Sequence, residues 1–420
     1  MYKLSFLFLS VFASLISCGQ ESVTPLFKCS KKLNSPYGVT AQFTLPWDSP
    51  SQEEQIRLIK DADIDNVRYD FWVPYSEPLY GNKLLPVIEN ATAKSFDAEL
   101  NILAVLFVGY RGQRSWEMPD EYWKEIDYFI SKYAKNLKYW EILNEVNLTA
   151  KHDAIPLDST AVRYMSLLPK SYKKLKKANP NIVVTTSGLG DVDDEFLELL
   201  CRHKAYKYFD VLSFHSYESP EGFPNKFKKI KRIMNKYHWN KPVWISECGL
   251  TTYVNPESQS YTSSMALRET EQAYRIARMH IIAFSYGVDK VYTYKFRAKE
   301  KDNKDPEDYY GIIHADLTPK PAYLAYKAMT KMLPSGSSRP TLEQDGNNYI
   351  SSWTRNDGKK VWALWNSKGT STMHLNIKGK ADIYDYLGEH VKQPISGEFK
   401  ISKGVTYIMG EKNLKVKVIK

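Results

Sequence analysis

The sequence predicts an α/β protein: a (β/α)8 (TIM) barrel followed by a small C-terminal β-sandwich. Three observations carry that prediction. Short β-rich runs alternate with longer amphipathic stretches through the first three quarters of the chain, the pattern of parallel strands joined by helices. Eight such runs can be counted, the number that closes a barrel. No Gly-rich phosphate loop follows any of them, as a doubly wound nucleotide-binding sheet would require. Gly188-Leu189-Gly190 comes nearest and lacks the rest of the fingerprint.

Taken in order, strands are expected at 38–43, 66–71, 102–108, 139–144, 182–187, 211–215, 243–246 and 290–294. Apolar residues at helical spacing mark helices between them, for example at 53–62, 121–135, 162–177, 226–237 and 267–285. A last helix is expected at 322–332. The run Pro334-Ser335-Gly336-Ser337-Ser338-Arg339-Pro340 then breaks the pattern. Beyond it lie only β-type runs, at 349–354, 361–365, 372–377, 381–386 and 405–408, with Asn356-Asp357-Gly358 as a hairpin signal. The expected organisation is a signal segment over 1–17, a polar tether over 18–33, the barrel over 34–335 and the sandwich over 336–420.

The 420 residues exceed one ordinary core, and 43% hydrophobic with 25% charged residues is a globular composition. At the N-terminus Lys3 precedes an apolar run over 4–16 that is too short for a comfortable membrane span. The run ends in Leu15-Ile16-Ser17-Cys18, which resembles a bacterial lipobox with Cys18 as the lipidated first residue of the mature protein. An ordinary secretory signal with a chance cysteine is the alternative. The expected location is the bacterial cell envelope, with the chain anchored in a lipid bilayer through Cys18, at the outer membrane or cell surface. Cys29, Cys201 and Cys248 have no metal-knuckle spacing, and spacing alone gives no disulfide connectivity. The formal charge of +10 suits an acidic polysaccharide or anionic headgroups as partner. Nucleic acid is not expected for an exported chain. Lys173-Lys174 and Lys176-Lys177 fall at helical spacing and read as a solvated face.

In a barrel of this kind, reactive groups sit where strands end and loops begin. Two strands end in glutamate. The fourth reads Trp140-Glu141-Ile142-Leu143-Asn144-Glu145, and the seventh reads Val243-Trp244-Ile245-Ser246-Glu247. One carboxylate closing a strand is ordinarily a surface charge or a helix cap; two, on strands four and seven, point to a cleft. A pair of opposed carboxyls suits glycosidic cleavage, where one group protonates the leaving oxygen and the other attacks the anomeric carbon. Strict strand alternation would put Asn144 and Glu145 on opposite faces, so the strand is expected to bend or bulge at its end. The eight histidines form no zinc motif, and neither a nucleophile elbow nor a P-loop is present, so no cofactor and no metal is expected.

These residues reach a family resemblance. The run from Trp140 to Asn147 resembles the W-E-x-x-N-E-P-N signature of glycoside hydrolase clan A, particularly families 39 and 5. Trp244-Ile245-Ser246-Glu247-Cys248-Gly249 resembles that clan's nucleophile strand, Phe214-His215-Ser216-Tyr217 its sixth-strand H-x-Y, and Arg68 its second-strand arginine. The stretch from Tyr309 to Tyr323 is similar to the approach to the family's last helix. The resemblance implies a retaining β-glycosidase acting on an oligo- or polysaccharide, with Glu145 as acid/base and Glu247 as nucleophile. The acid is expected to have a raised pKa from partial burial beside a second carboxylate. Asn144 would bond the sugar 2-hydroxyl, with a helix N-cap as its plainer reading. Arg68 would hold Glu247 ionised, or serve a structural ion pair. Tyr217 would donate to Glu247, and His215 would position it, touch substrate or sit as a core histidine.

The chain departs from the family at two places. Val146 replaces the usual proline, and strand eight lacks the tryptophan that floors the subsite, with Tyr294 the nearest substitute. Trp72, Tyr110, Trp116 and Tyr253 are loop candidates for sugar platforms or for packing. Arg111, Arg114, Arg297 and Lys299 are candidates for a uronate or sulfate. Two other functions stay open on the sequence: a non-catalytic glycan-binding lipoprotein, recognised by carboxylates lying far apart, and a transglycosylase using the same pair.

Overall fold

The computed structural model describes residues 35–45, 48–71, 84–106, 115–117, 119–149, 154–191, 193–255, 261–301, 304–393 and 396–419. Cys18, Cys29, Trp72, Tyr110, Arg111 and Arg114 lie outside the described residues.

Eight strands come first: β1 (Tyr37–Thr40), β2 (Asn66–Phe71), β3 (Asn101–Leu106), β4 (Tyr139–Ile142), β5 (Val183–Thr185), β6 (Leu212–His215), β7 (Val243–Cys248) and β8 (Lys290–Thr293). Helices α1 (Gln52–Asp61), α2 (Leu84–Asp97), α3 (Pro119–Tyr133), α4 (Leu157–Ala178), α5 (Asp194–Arg202), α6 (Phe223–Lys236), α7 (Tyr261–Ser285) and α8 (Pro321–Met332) follow them in turn. The strands run parallel in the order β5-β4-β3-β2-β1-β8-β7-β6, and the parallel bridges Thr185↔Val211 and Leu189↔Phe214 join the two ends into a closed barrel. Local chemistry agrees with this plan. At α5 the Asp193 carboxylate accepts from the Phe196 amide at 2.9 Å, acids fill the first turn and Arg202 the last, matching the helix dipole.

The barrel interior is filled in layers, as a packed core rather than a pore. Leu103, Tyr139, Val211, Trp244 and Tyr292 form the floor, with the Tyr139 and Trp244 rings edge to face at 5.2 Å. Gly38 has to be glycine there: a Cβ would lie 2.3 Å from the Tyr292 ring. Above the floor the inward positions turn polar, with Arg68, Glu141, Thr185 and Ser213 all buried. The site therefore stands on a dry base at the C-terminal mouth of the barrel.

Eight antiparallel strands follow: β9 (Thr341–Asp345), β10 (Asn348–Thr354), β11 (Lys360–Asn366), β12 (Ser371–Lys378), β13 (Ala381–Tyr384), β14 (Gly397–Ile401), β15 (Thr406–Gly410) and β16 (Lys415–Ile419). They form a five-stranded sheet, β13-β15-β11-β10-β9, and a three-stranded sheet, β14-β12-β16. Sequence patterning anticipates five of the eight. β9, β14 and β16 escape it because most of their residues are exposed and charged or polar, and β9 and β16 bury no side chain fully, so little apolar signal remains. The Asn356-Asp357-Gly358 turn does join β10 to β11, with Gly358 at φ +86°. One face of the five-stranded sheet sends Tyr349, Trp353, Trp365 and Tyr407 into the same core as the barrel helices, and the Trp353 indole donates to the Met332 carbonyl at 2.8 Å. Its other face closes on Met373, Leu375, Ile377 and Phe399 of the three-stranded sheet. Cys201 and Cys248 are buried free thiols. Among the described residues no helix is long and apolar enough to cross a membrane.

Candidate active site

The end of β4 departs from extended geometry, as two adjacent side chains sharing one cleft require. Leu143 (φ 66°) and Glu145 (φ 46°) both adopt left-handed backbone, which is uncommon away from glycine. The Glu145 amide is pinned to the Ser187 carbonyl at 2.7 Å. Through this bend Asn144 and Glu145 reach the same cleft. A comparable device acts on β7. Trp244 points inward, so alternation would aim Glu247 outward; a register shift between Ile245 and Cys248 brings it in, opposite His215 of β6.

Arg68 is the hub. Its Nη1 donates to Glu247 Oε1 at 2.5 Å, its Nε to Glu141 Oε1 at 2.8 Å and its Nη2 to Asn144 Oδ1 at 2.7 Å. The second oxygen of Glu247 accepts from the Tyr217 hydroxyl, and the second oxygen of Glu141 accepts from Ser213 Oγ at 2.8 Å. His215 Nδ1 lies 2.7 Å from Glu145 Oε1 and 3.4 Å from Glu247 Oε2, between the two carboxylates. One oxygen of Glu145 and one of Glu247 stand within 4.8 Å of each other. The opposite nitrogen of His215, Nε2, is buried without a partner, and Gly188 backs it so closely that a Cβ would sit 2.5 Å away.

The electrostatics follow from burial and partners. Burial opposes the charge of Arg68, but Glu141 and Glu247 outweigh it and raise its pKa, so the guanidinium is permanently charged. Burial would also raise Glu145; the hydrogen bond and charge of His215, with Arg68 behind it, outweigh that and hold the carboxyl below its ordinary value. This reverses the sequence expectation of a raised acid, because that expectation left the histidine contact out. Burial, with Glu247 next, lifts the Tyr217 hydroxyl well above its usual range, so it stays a donor.

Beside Glu247 lies a cavity of about 140 Å³ lined by Thr40, Gln42, Asp70, Asn144 and Tyr294 among others. Asp70 is an unforeseen member. Burial raises its pKa to about 6 despite Arg68, with Glu247 and Glu141 adding to the rise. Tyr294 donates to Glu307 Oε2 at 3.0 Å, and its ring meets Tyr217 and Tyr310 at 6.1 and 5.4 Å. Tyr294 thus stands in the cavity wall with Glu247.

Other candidates stand elsewhere. Trp116 packs against the hydrophobic core and is not among the cavity lining. Tyr253 meets Tyr309 edge to face at 5.7 Å. Arg297 binds Asp48 at 3.0 Å and the Ala315 carbonyl, and Lys299 binds Asp308 at 3.1 Å, so both are spent on loop architecture. Sequence reasoning passes over Glu141, Asp70, Gly188 and Tyr310. Glu141 does carry a signal: a charge inside an apolar strand, two residues from inward Tyr139, requires a buried partner.

Glu145, His215 and Glu247 together could hold a metal ion on spacing alone. Arg68 already neutralises Glu247, and His215 Nδ1 is engaged with Glu145. The trio is better suited to moving protons.

Residues 116–300 match the family model for the glycosyl hydrolase catalytic core. Among solved structures, a family 39 glycoside hydrolase from the gut symbiont Bacteroides cellulosilyticus is similar, with 18% identity, a TM-score of 0.69, and 89% of this chain and 80% of that one covered. A family 39 β-xylosidase from Caulobacter crescentus matches with 12% identity and a TM-score of 0.59, over 92% of this chain and 98% of that one. A family 30 subfamily 8 xylanase from Clostridium acetobutylicum matches with 12% identity and a TM-score of 0.57, over 89% and 95%. No curated protein matched the sequence. The family-model match bears out the resemblance to glycoside hydrolases, and these neighbours bear out the (β/α)8 fold.

Proposed function

We propose that this chain is a retaining β-glycosidase that cleaves an extracytoplasmic oligo- or polysaccharide through a covalent glycosyl-enzyme intermediate, with Glu247 as nucleophile and Glu145 as acid/base. One observation carries the reading: the two carboxylates approach within 4.8 Å. That is close to the ~5–5.5 Å of retaining enzymes and short of the ~6.5–9.5 Å that leaves room for a water in inverting ones. It also disfavours a purely glycan-binding role, in which nothing would draw two carboxylates together.

The chemistry then follows from the contacts. A Glu247 oxygen attacks the anomeric carbon as the bond to the leaving sugar breaks, and Glu145 gives its proton to the leaving oxygen. Water then attacks the anomeric carbon, Glu145 takes the water proton, and the glutamyl ester breaks. Arg68 and Tyr217 each hold one oxygen of Glu247, which keeps it aimed. Asn144 spends its carbonyl oxygen on Arg68, leaving its amide hydrogens for the sugar 2-hydroxyl. His215 Nδ1 and Glu145 Oε1 lie 2.7 Å apart. That contact lowers the Glu145 carboxyl against its burial, and a substrate that displaces it leaves burial to raise the carboxyl, as a proton donor requires.

The N-terminal lipobox supports an acyl anchor at Cys18 and a place in the cell envelope. The positive net charge supports an acidic glycan among the substrates to try, and the xylosidase and xylanase among the neighbours make β-xylosides and xylans the first neutral ones. The test is hydrolysis of a panel of plant, algal and host polysaccharides by the wild type, Glu145→Gln and Glu247→Gln. Product lost in both variants, together with azide rescue of Glu247→Ala, supports the assignment. Activity indifferent to both substitutions sinks it, and binding without turnover by the wild type moves the reading to a glycan-binding protein.

A further inference from the structure

The positive charge of this chain is concentrated away from the barrel. Residues 336–420 carry 14 basic against 8 acidic side chains, so +6 of the total +10 resides in one fifth of the chain. Within the sandwich, four of the twelve lysines, Lys378, Lys400, Lys415 and Lys417, share one surface. In the three-stranded sheet, Met373, Leu375, Ile377, Phe399 and Ile401 point into the sandwich core. The alternate residues Thr372, His374, Asn376 and Lys378 of β12, Lys400 of β14, and Lys415, Lys417 and Ile419 of β16 are exposed on the other face. The five-stranded sheet packs on the barrel, so this face is the outermost layer of the domain.

The register makes the arrangement costly. Lys378 pairs directly with Lys415, and Asn376 beside it with Lys417. Like charges directly opposite on a sheet destabilise it. Lysines on the edge strands β14 and β16 can be explained as protection against edge-to-edge association, but Lys378 lies on the central strand, where that explanation fails. Lys378, Lys400, Lys415 and Lys417 make no ion pair with any described residue. Glu398 is the one acid among the outward positions of the three strands. Among the described residues the face carries no Trp, Tyr or Phe for sugar stacking. It does carry Ile419, half exposed, among the lysines.

We propose that the outer face of the β14-β12-β16 sheet docks on an anionic lipid surface, its lysines meeting phosphate headgroups and Ile419 dipping between them. The occupant follows from the charge, the lack of a stacking platform and the exposed apolar residue. The inference is independent of the glycosidase reading. It gives the anchor expected at Cys18 a second contact, as stable membrane attachment generally needs two signals.

The test is co-sedimentation with vesicles of phosphatidylcholine alone and of phosphatidylcholine with phosphatidylglycerol. It uses the full chain carrying Cys18→Ser so that no acyl group contributes. Each lysine near such a surface is worth about fivefold in binding. The expected result is a preference for anionic vesicles that fades at high salt. It should drop at least tenfold when Lys378, Lys400, Lys415 and Lys417 are all changed to Gln. Changing Lys124, Lys173, Lys177 and Lys228 on the barrel helices to Gln removes the same charge and should leave binding nearly unchanged. Equal losses in both variants would reduce the effect to net charge and overturn the proposal. So would equal binding to neutral vesicles, or displacement by a soluble acidic polysaccharide at matched charge, which would assign the face to glycan.

Discussion

Arg68→Met removes the one cation shared by Glu141, Glu247 and Asn144. The side chains of Arg68 and Glu141 are 3% and 0% exposed and that of Glu247 is 9% exposed, so no water can take the place of the guanidinium. Methionine fills similar volume, which isolates the electrostatic loss from a cavity term. Orphaning a buried charge costs about 3–5 kcal/mol. Against a typical total stability of about 5–15 kcal/mol, that is a large fraction. The penalty depends on pH. Arg68 also lowers the buried Asp70 carboxyl, so its loss lets that pKa rise further above about 6 and adds a penalty that is present at pH 8 and fades toward pH 5. Urea unfolding at both pH values measures this, with turnover measured on the same samples. Activity should fall at least 100-fold, since Glu247 loses the donor that holds one of its oxygens in place. A variant within about 1 kcal/mol of wild type at both pH values would refute the claim that Arg68 is the electrostatic hub.

Three further outcomes follow from the same contacts. In His215→Phe the donor that lowers the Glu145 carboxyl is gone and burial prevails, so its pKa rises. The wild-type group stabilises the fold above its unfolded value near 4.5 and loses that contribution in acid, whereas the variant group destabilises at neutral pH and is relieved by acid. The stability gap between the two proteins should therefore narrow from pH 7 to pH 4, and a widening gap would contradict the pairing. Asp70 has a folded pKa of about 6 against an ordinary value of 3.8, so its ionisation disfavours folding as pH rises through that window. Asp70→Asn should stabilise by up to about 3 kcal/mol at pH 8 and by almost nothing at pH 3.5, with KM altered because the residue lines the cavity. Gly188→Ala combines a left-handed φ of +53° with a Cβ 2.5 Å from His215 Nε2. It should cost about 1–2 kcal/mol and lower turnover more than stability alone explains; unchanged turnover would show that the His215 ring is not held from behind.

The sequence by itself determined the elements and the identities of the central pair. Alternation of apolar β runs with amphipathic helices is a local property, so eight strands and their order could be read directly, β2 to the residue. Asn144-Glu145 and Ser246-Glu247 were legible because a carboxylate at the end of an apolar strand is physically conspicuous. Even the bend at the end of β4 was implied, since two adjacent side chains cannot otherwise share a cleft.

Only the tertiary structure decided what those residues do to one another. The separation of the carboxylates depends on how far β4 and β7 lie apart around the barrel and on a register shift in β7. The lowered pKa of Glu145 depends on a histidine 70 residues away. Asp70 is one acid among many until closure of the barrel buries it beside Glu247, and Arg297 and Lys299 read as candidate ligand cations until the fold pairs them with Asp48 and Asp308. Patterning records which way a side chain faces along its own element. Charge, burial and distance between elements are properties of the closed barrel, because they arise from pairs of residues that only folding brings together.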